Sequence, residues 1–447
     1  MKLRRLFLAI IASTSLVGCK NKEPNKEPTE DLTPDFQINA EIADTMESLE
    51  DKSVYNIKLN YTDKYFKYTA STFKKDLMLL SYGCTMSAIS KAKGSKFYND
   101  IGFNVLYTAE EYDTGSTPDS VQYIIAKKNI DDFTVFSIAF KGNRYGLEWS
   151  NNFNLGTSGD HEGFMKSATK VYEKLLSYIG ETTNYKIWLS GYSRAGAITN
   201  VLSHLCMTST TLNVTEDTLY AYTFAGTRGL TKEHAKPYRN IFNLYNSADL
   251  LSNFAPLEYG LYRCGTDIDI FDEKIDELLL SFSSEAILPK FTPSKDSYSN
   301  DKEYTRFVLD QLLKEDTETY DPEIYQYDLC SREHFHQIEG HISYFMSLVF
   351  AIGDYFMALS ETFGNLSRNE MIAMIMDDGT TLHDKFKEMF DKYGVSYDNE
   401  KLAESSSVVV YLLKRYLPLA LSFTANANAS RMLAMHMTET VYTLIKK

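Results

Sequence analysis

Long apolar runs are scarce in this chain of 447 residues. Leu6 to Leu16 is too short to cross a bilayer, and Val408 to Leu421 is broken by Lys414, Arg415 and Pro418, so no segment reads as a membrane span. Positive charge is also in deficit. Lys and Arg number 46 against 60 Asp and Glu, a net charge of −14. That balance argues against a nucleic-acid partner and against charge-driven docking on anionic lipid. Cysteine is sparse, and the spacing of Cys84, Cys206, Cys264 and Cys330 fits no metal motif. A Cys264–Cys330 disulfide is open to a chain outside the cytoplasm, but buried free thiols are the favoured reading.

What is present begins at the N-terminus. Lys2, Arg4 and Arg5 precede the short apolar stretch, the pattern of a signal peptide. It ends in Leu16-Val17-Gly18-Cys19, which resembles the bacterial lipobox. That resemblance implies cleavage before Cys19 and a diacylglyceryl group on its thiol. Asn21-Lys22-Glu23-Pro24 then repeats as Asn25-Lys26-Glu27-Pro28, a charged, proline-bearing tether that stays solvated. The expectation is an extracytoplasmic lipoprotein held at a bacterial membrane, with the signal over 1–18 and the lipidated cysteine and tether over 19–40.

Beyond the tether, strand-like and helix-like patterns alternate. Helical spacing runs from Phe66 to Ala88, and Phe164, Ala168, Val171, Tyr172, Leu175 and Ile179 trace one helix face. Val121 to Lys127, Phe133 to Phe140, Tyr185 to Ser190, Leu219 to Ala225 and Asn240 to Tyr245 read as strands. This alternation predicts an α/β core over 60–270 with a mainly parallel sheet and its site at the carboxyl ends of the strands. Residues 271–430 change character: Pro289 to Glu323 reads as polar and loop-rich, while Ile338 to Leu359, Asn369 to Phe390 and Leu402 to Phe423 read as helices, as does Ser430 to Ile445 beyond them. The helical block is either a cap over the site or a plain packing layer.

The chemistry is carried by Gly191-Tyr192-Ser193-Arg194-Ala195, followed by Gly196. A serine on a sharp strand-to-helix turn between small residues is a nucleophile elbow, with Oγ standing clear at the sheet edge. Such a serine needs a base, a group to orient it and two backbone N–H donors for an oxyanion. The Arg194 amide is one candidate donor. The second is Asn143, in Phe140-Lys141-Gly142-Asn143 at the end of a strand. Asp249, after the strand Asn240 to Tyr245, is the candidate orienting acid.

These residues resemble the class 3 lipases, and especially a bacterial lipase-like branch. The matching stretches are Phe140-Lys141-Gly142-Asn143, Glu148 to Phe153 and His161-Glu162-Gly163-Phe164. They continue with Ile187 to Arg194, Thr223 to Arg228 and Asn243 to Leu250. Ala195 stands where the family has glycine, and Asn143 where it has serine or threonine. The resemblance implies an α/β-hydrolase core, carboxylic-ester hydrolysis without a cofactor, and a triad in the chain order Ser-Asp-His. The base then lies after Asp249, among His334, His336, His341, His383 and His436. His436, in His436-Met437-Thr438-Glu439, is similar to the H-x-x-E that opens the last helix in the bacterial branch, and residues 431–447 would return it to the core. His341, in Gly340-His341-Ile342-Ser343-Tyr344-Phe345, is similar to the ending of fungal members and is the alternative base. The expected protein is a membrane-tethered ester hydrolase using Ser193, Asp249 and His436. A peptidase or thioesterase on the same core, or a lipoprotein that kept the fold without the activity, is the alternative.

Overall fold

A computed structural model describes residues 30–43, 54–142, 146–255, 257–282, 288, 290–315, 327–352, 355–363, 368–419, 422 and 427–447. Cys19 and the signal and tether residues 1–29 lie outside them, as does Asn143. Eleven strands are numbered in chain order: β1 Phe36–Ala43, β2 Val54–Tyr61, β3 Asn104–Thr108, β4 Tyr123–Ile130, β5 Phe133–Phe140 and β6 Tyr185–Tyr192, then β7 Leu219–Phe224, β8 Leu230–Thr231, β9 Ile241–Tyr245, β10 Leu261–Tyr262 and β11 Thr266–Asp269. β1 and β2 pair as an antiparallel ribbon, and β8 and β10 make a second, minimal one.

The main sheet has seven strands in the order β11-β9-β7-β6-β5-β4-β3. From β11 to β5 all pairings are parallel, and β4 and β3 add an antiparallel edge. Strands covered on both faces need side chains that are apolar throughout. β6 and β7 accordingly read Tyr-Lys-Ile-Trp-Leu-Ser-Gly-Tyr and Leu-Tyr-Ala-Tyr-Thr-Phe, and all but Lys186 are buried. On one face the helix Glu162–Ile179 lays its stripe of Phe164, Ala168, Val171, Leu175 and Ile179 beside the almost wholly buried helix Arg194–Thr208, sharing a cluster with Ile138, Ile187 and Leu189. On the other, Trp188 donates its indole N–H to Ser81 Oγ of the helix Lys75–Ser87 at 2.8 Å and meets the rings of Phe66 and Phe103.

The register aligns the carboxyl ends. Ala139 faces Ser190, Tyr192 faces Phe224, and Phe224 faces Leu244. Three loops and the elbow therefore leave the sheet at one edge.

The stretch after β11 is helical in more pieces than the sequence pattern suggests. Pro289 to Glu323 is not all loop, because Asp301–Leu312 is a helix capped by Asn300 that buries Tyr304, Thr305 and Val308. The single run expected from Ile338 to Leu359 divides into Arg332–Ala351 and Tyr355–Phe363, and that from Asn369 to Phe390 into Arg368–Met376 and Thr380–Tyr393. Asn399–Arg415, Asn428–Ala434 and Thr438–Lys446 complete the chain. The block has its own core around Leu348, Phe386, Phe390 and Leu402. Two further clusters bind it to the loops at the sheet edge. Phe335 packs with Leu155, Ala255, Tyr259 and Leu261, and Leu250 packs against Tyr304, Val308, Leu419 and Met432. Cys84, Cys206, Cys264 and Cys330 are all free thiols, so Cys264 and Cys330 form no disulfide.

Candidate active site

β6 ends at Tyr192 and a helix begins at Arg194, leaving one residue to reverse the chain. Ser193 makes that turn at φ 57°, ψ −129°, a conformation a non-glycine residue occupies only when its surroundings force it. The surroundings do so from both sides. The Ser193 N–H donates to Phe224 O at 2.8 Å and its carbonyl accepts from Ala197 N–H at 3.1 Å. Glycine is obligatory at two neighbours. A Cβ at Gly191 would stand 2.2 Å from Thr199 Oγ1, and one at Gly196 would stand 2.9 Å from Phe224 O and 3.1 Å from Gly226 Cα. Ala195 is different, since its methyl group is buried in the core beside Ile198 and Val201. The close approach of helix to sheet is made at Gly196 and Gly226, so the substitution of alanine for glycine one position earlier is accommodated.

Asp249 follows β9 on a turn in which its N–H donates to Asn246 O at 3.0 Å. It is fully buried. Oδ1 accepts from Leu251 N–H at 2.8 Å, and Oδ2 accepts from the Ser252 hydroxyl and from His436 Nδ1 at 2.7 Å. The helical block supports this turn, with Thr305 Oγ1 donating to Ala248 O at 2.7 Å.

His436 sits in the break between Asn428–Ala434 and Thr438–Lys446 rather than on a helix. Its Nε2 is 2.8 Å from Ser193 Oγ. A carboxylate only accepts, so the proton on Nδ1 faces Asp249 and the Nε2 lone pair faces the serine hydroxyl. Backbone contacts hold the ring. The Tyr192 hydroxyl donates to His436 O, Asn246 Nδ2 donates to Met435 O at 3.4 Å, and Tyr82 donates to Thr438 O at 2.6 Å. The side chain is 12% exposed.

The structure thus brings Ser193, Asp249 and His436 into one hydrogen-bonded line. His341 is not part of it. It lies half-buried within the helix Arg332–Ala351, and the histidine bonded to Ser193 is His436. Asn143 lies outside the described residues; Lys141 and Gly146 on either side of it are hydrogen-bonded. Lys141 N–H donates to Gln122 O at 2.9 Å, and Glu148 Oε2 accepts from Gly146 N–H at 3.0 Å. A Cβ on Gly142 would come within 2.8 Å of Tyr192 Cβ, so Gly142 lies directly against the elbow. Arg194 directs its guanidinium inward, to Ser120 O at 3.4 Å and Ser167 Oγ at 3.2 Å, and offers the elbow its main chain.

The supporting residues Tyr192, Asn246 and Ser252 escaped the sequence reading. Tyr192 lies inside the elbow motif, and Ser252 is three residues beyond Asp249, one turn away. Neither spacing says that a hydroxyl faces the histidine backbone or the acid.

A twisted, mainly parallel sheet with a strained serine between strand and helix defines an α/β-hydrolase core. Residues 137–259 match the family model of the class 3 lipases. That stretch runs from β5 through the elbow to the loop carrying Asp249. Among solved structures, the chain is similar to a fungal lipase in an inhibitor complex, with 13% identity, coverage of 48% of this chain and 83% of that one, and a TM-score of 0.37. It is also similar to the Rhizomucor miehei triacylglyceride lipase, with 17% identity, 45% and 82% coverage and a TM-score of 0.34. No curated protein matches the sequence.

Proposed function

We propose that this chain is a serine hydrolase of carboxylic esters, with lipid acyl esters as its substrate class. The observation that carries the reading is the unbroken path from Asp249 through His436 to Ser193, ending on a backbone held at positive φ. Ser193 Oγ attacks the ester carbonyl while His436 Nε2 takes its proton. Asp249 faces the Nδ1–H and stabilises the imidazolium that forms. The carbonyl oxygen becomes an oxyanion at the N-terminus of the helix Arg194–Thr208, where the Arg194 amide and the Asn143 amide would hold it. Collapse of this intermediate breaks the C–O bond, and Nε2–H protonates the departing alcohol. Water, deprotonated by the same nitrogen, then releases the acid and restores Ser193.

The matched lipase family supports an ester rather than an amide substrate. With a net charge of −14, neutral or dispersed esters are favoured over packed anionic phospholipid. Anchoring through Cys19 would set the protein at a bacterial cell surface.

A fluorophosphonate probe tests the reading. Wild-type protein should be labelled at Ser193 and hydrolyse p-nitrophenyl esters. Ser193→Ala should lose both, leaving at most the small residual rate of binding and oxyanion stabilisation. An unlabelled wild type, or a Ser193→Ala variant with undiminished turnover, would refute it.

A further inference from the structure

Cys330 stands apart from the hydrolytic site, just before the helix Arg332–Ala351, and it alone among the four described cysteines is not buried. Its Sγ is 3.2 Å from His334 Nδ1, and the same nitrogen is 2.7 Å from Asp328 Oδ1. One donor atom from each residue therefore lies within 4.8 Å of the other two. The cysteine spacing alone fits no metal motif, but this set mixes a carboxylate, a thiol and an imidazole.

The backbone that presents these groups is built. Leu329 N–H donates to Tyr416 Oη at 2.7 Å, and Leu329 O accepts from Tyr259 Oη at 2.7 Å. Cys330 N–H donates to Asp328 Oδ1 at 3.0 Å, and Ser331 Oγ caps the helix by accepting from His334 N–H at 3.2 Å. Leu329, between two of the ligand-bearing residues, is thus pinned by two tyrosines, and His334 stands on the first helical turn.

We propose that Asp328, Cys330 and His334 form a binding site for one divalent transition-metal ion, with zinc preferred and water completing a tetrahedron. The donor set suits a borderline-soft ion better than magnesium or calcium, which take oxygen. In tetrahedral zinc, with bonds of about 2.3 Å to sulfur and about 2.0–2.2 Å to nitrogen and oxygen, neighbouring donors stand about 3.4–3.6 Å apart. The present 3.2 and 2.7 Å are the shorter separations of directly hydrogen-bonded groups. The His334 side chain is 46% exposed, so its ring can turn to widen them. Binding replaces the Cys330 S–H bond with an S–metal bond and passes that proton to solvent. Without the ion the Nδ1 proton of His334 faces the Asp328 carboxylate, so binding also moves the imidazole proton from Nδ1 to Nε2 and gives the metal the Nδ1 lone pair; no oxidation state changes. The helix N-terminus disfavours a cation, but the thiolate and carboxylate place two full negative charges against it.

The ion would fasten the loop 328–330 to a helix that also grips the turn before the helix Glu162–Ile179. Arg332 donates to the carbonyls of Gly156 at 2.8 Å and Gly159 at 2.7 Å, and Glu339 accepts from Leu155 N–H at 3.0 Å. The site is therefore structural, in the helical block.

The test uses the purified full chain stripped with a chelator. Cobalt(II) should give a thiolate-to-cobalt charge-transfer band that saturates at about one ion per chain, and zinc should abolish it by displacement. Zinc should also protect Cys330 from a thiol reagent in the folded wild type, with peptide mapping assigning the label. Cys330→Ser should lose the band, and Asp328→Asn and His334→Gln should weaken binding by at least about tenfold. No band in the wild type, a band that survives in Cys330→Ser, or labelling of Cys330 unaffected by zinc would each overturn the proposal. The protection experiment needs no variant, so misfolding of a mutant cannot mask the answer.

Discussion

Asp249→Asn isolates the electrostatic part of the site, because the replacement has almost the same shape. The hydrogen bonds dictate how an amide would sit. Oδ1 accepts from the Leu251 N–H at 2.8 Å, so an NH2 placed there would set donor against donor. The amide oxygen must take the Oδ1 position and the NH2 the Oδ2 position, where the Ser252 hydroxyl can reverse and accept. That NH2 then faces His436 Nδ1, 2.7 Å away in the native protein. Nδ1 becomes the acceptor, the imidazole proton moves to Nε2, and the ring donates to Ser193 Oγ instead of taking its proton. The imidazolium also loses its countercharge. A wrong tautomer of this kind costs about 10³- to 10⁴-fold in kcat, or ~4–5.5 kcal/mol at about 1.4 kcal/mol per decade. The assay is kcat on a p-nitrophenyl ester together with the rate of fluorophosphonate labelling, and both should fall together. Far-UV circular dichroism should be unchanged. A folded variant that keeps more than a tenth of wild-type kcat would refute the reasoning, since the acid would then be dispensable for setting the tautomer.

Burial holds the His161 imidazole at a pKa of about 3 against 6.5 for an ordinary histidine, while its Nδ1 caps the helix Glu162–Ile179. Above pH 6.5 both folded and unfolded states are neutral there. As pH falls toward 3, only the unfolded chain takes the proton, so His161 should erode stability by up to ~1.4 kcal/mol per pH unit. Urea midpoints between pH 6 and 4 should therefore fall more steeply in wild type than in His161→Gln, and parallel slopes would contradict this. Arg431 is buried and bidentate to buried Asp301 at 2.7 and 2.8 Å, so Arg431→Met should cost ~3–5 kcal/mol in urea unfolding, and Arg431→Met with Asp301→Leu should recover much of it. Ala195→Gly should leave kcat unchanged and lower stability by ~1 kcal/mol, because that methyl lies in the core of a helix; a gain in kcat would show that alanine impairs the elbow.

The elbow was legible because its cause is local. Gly191 and Gly196 flank Ser193 within a few residues, and the steric need for both is met inside the strand–turn–helix itself. Asp249 was legible because it lies four residues after a strand end, in a stretch that resembles the class 3 lipases. The buried helix Asp301–Leu312 was not. Its sequence is polar, and what buries it is distant, with Arg431 holding Asp301 and the Ala248 carbonyl taking the Thr305 hydroxyl. The helical runs expected to be unbroken each divide into two, which hydrophobic spacing does not encode.

The choice between His436 and His341 marks the boundary most clearly. Each lies amid apolar residues at helical spacing, and each resembles a different branch of the same family. Sequence alone therefore pointed to Ser193 and to the sheet that aligns the site, which follow from short-range sterics and strand patterning, and the family resemblance added Asp249. It left the base open. The 2.8 Å contact from His436 to Ser193 joins residues 243 positions apart. Only the folded chain, with Tyr192, Asn246 and Tyr82 gripping the backbone around that histidine, places one imidazole there and leaves the other on a helix.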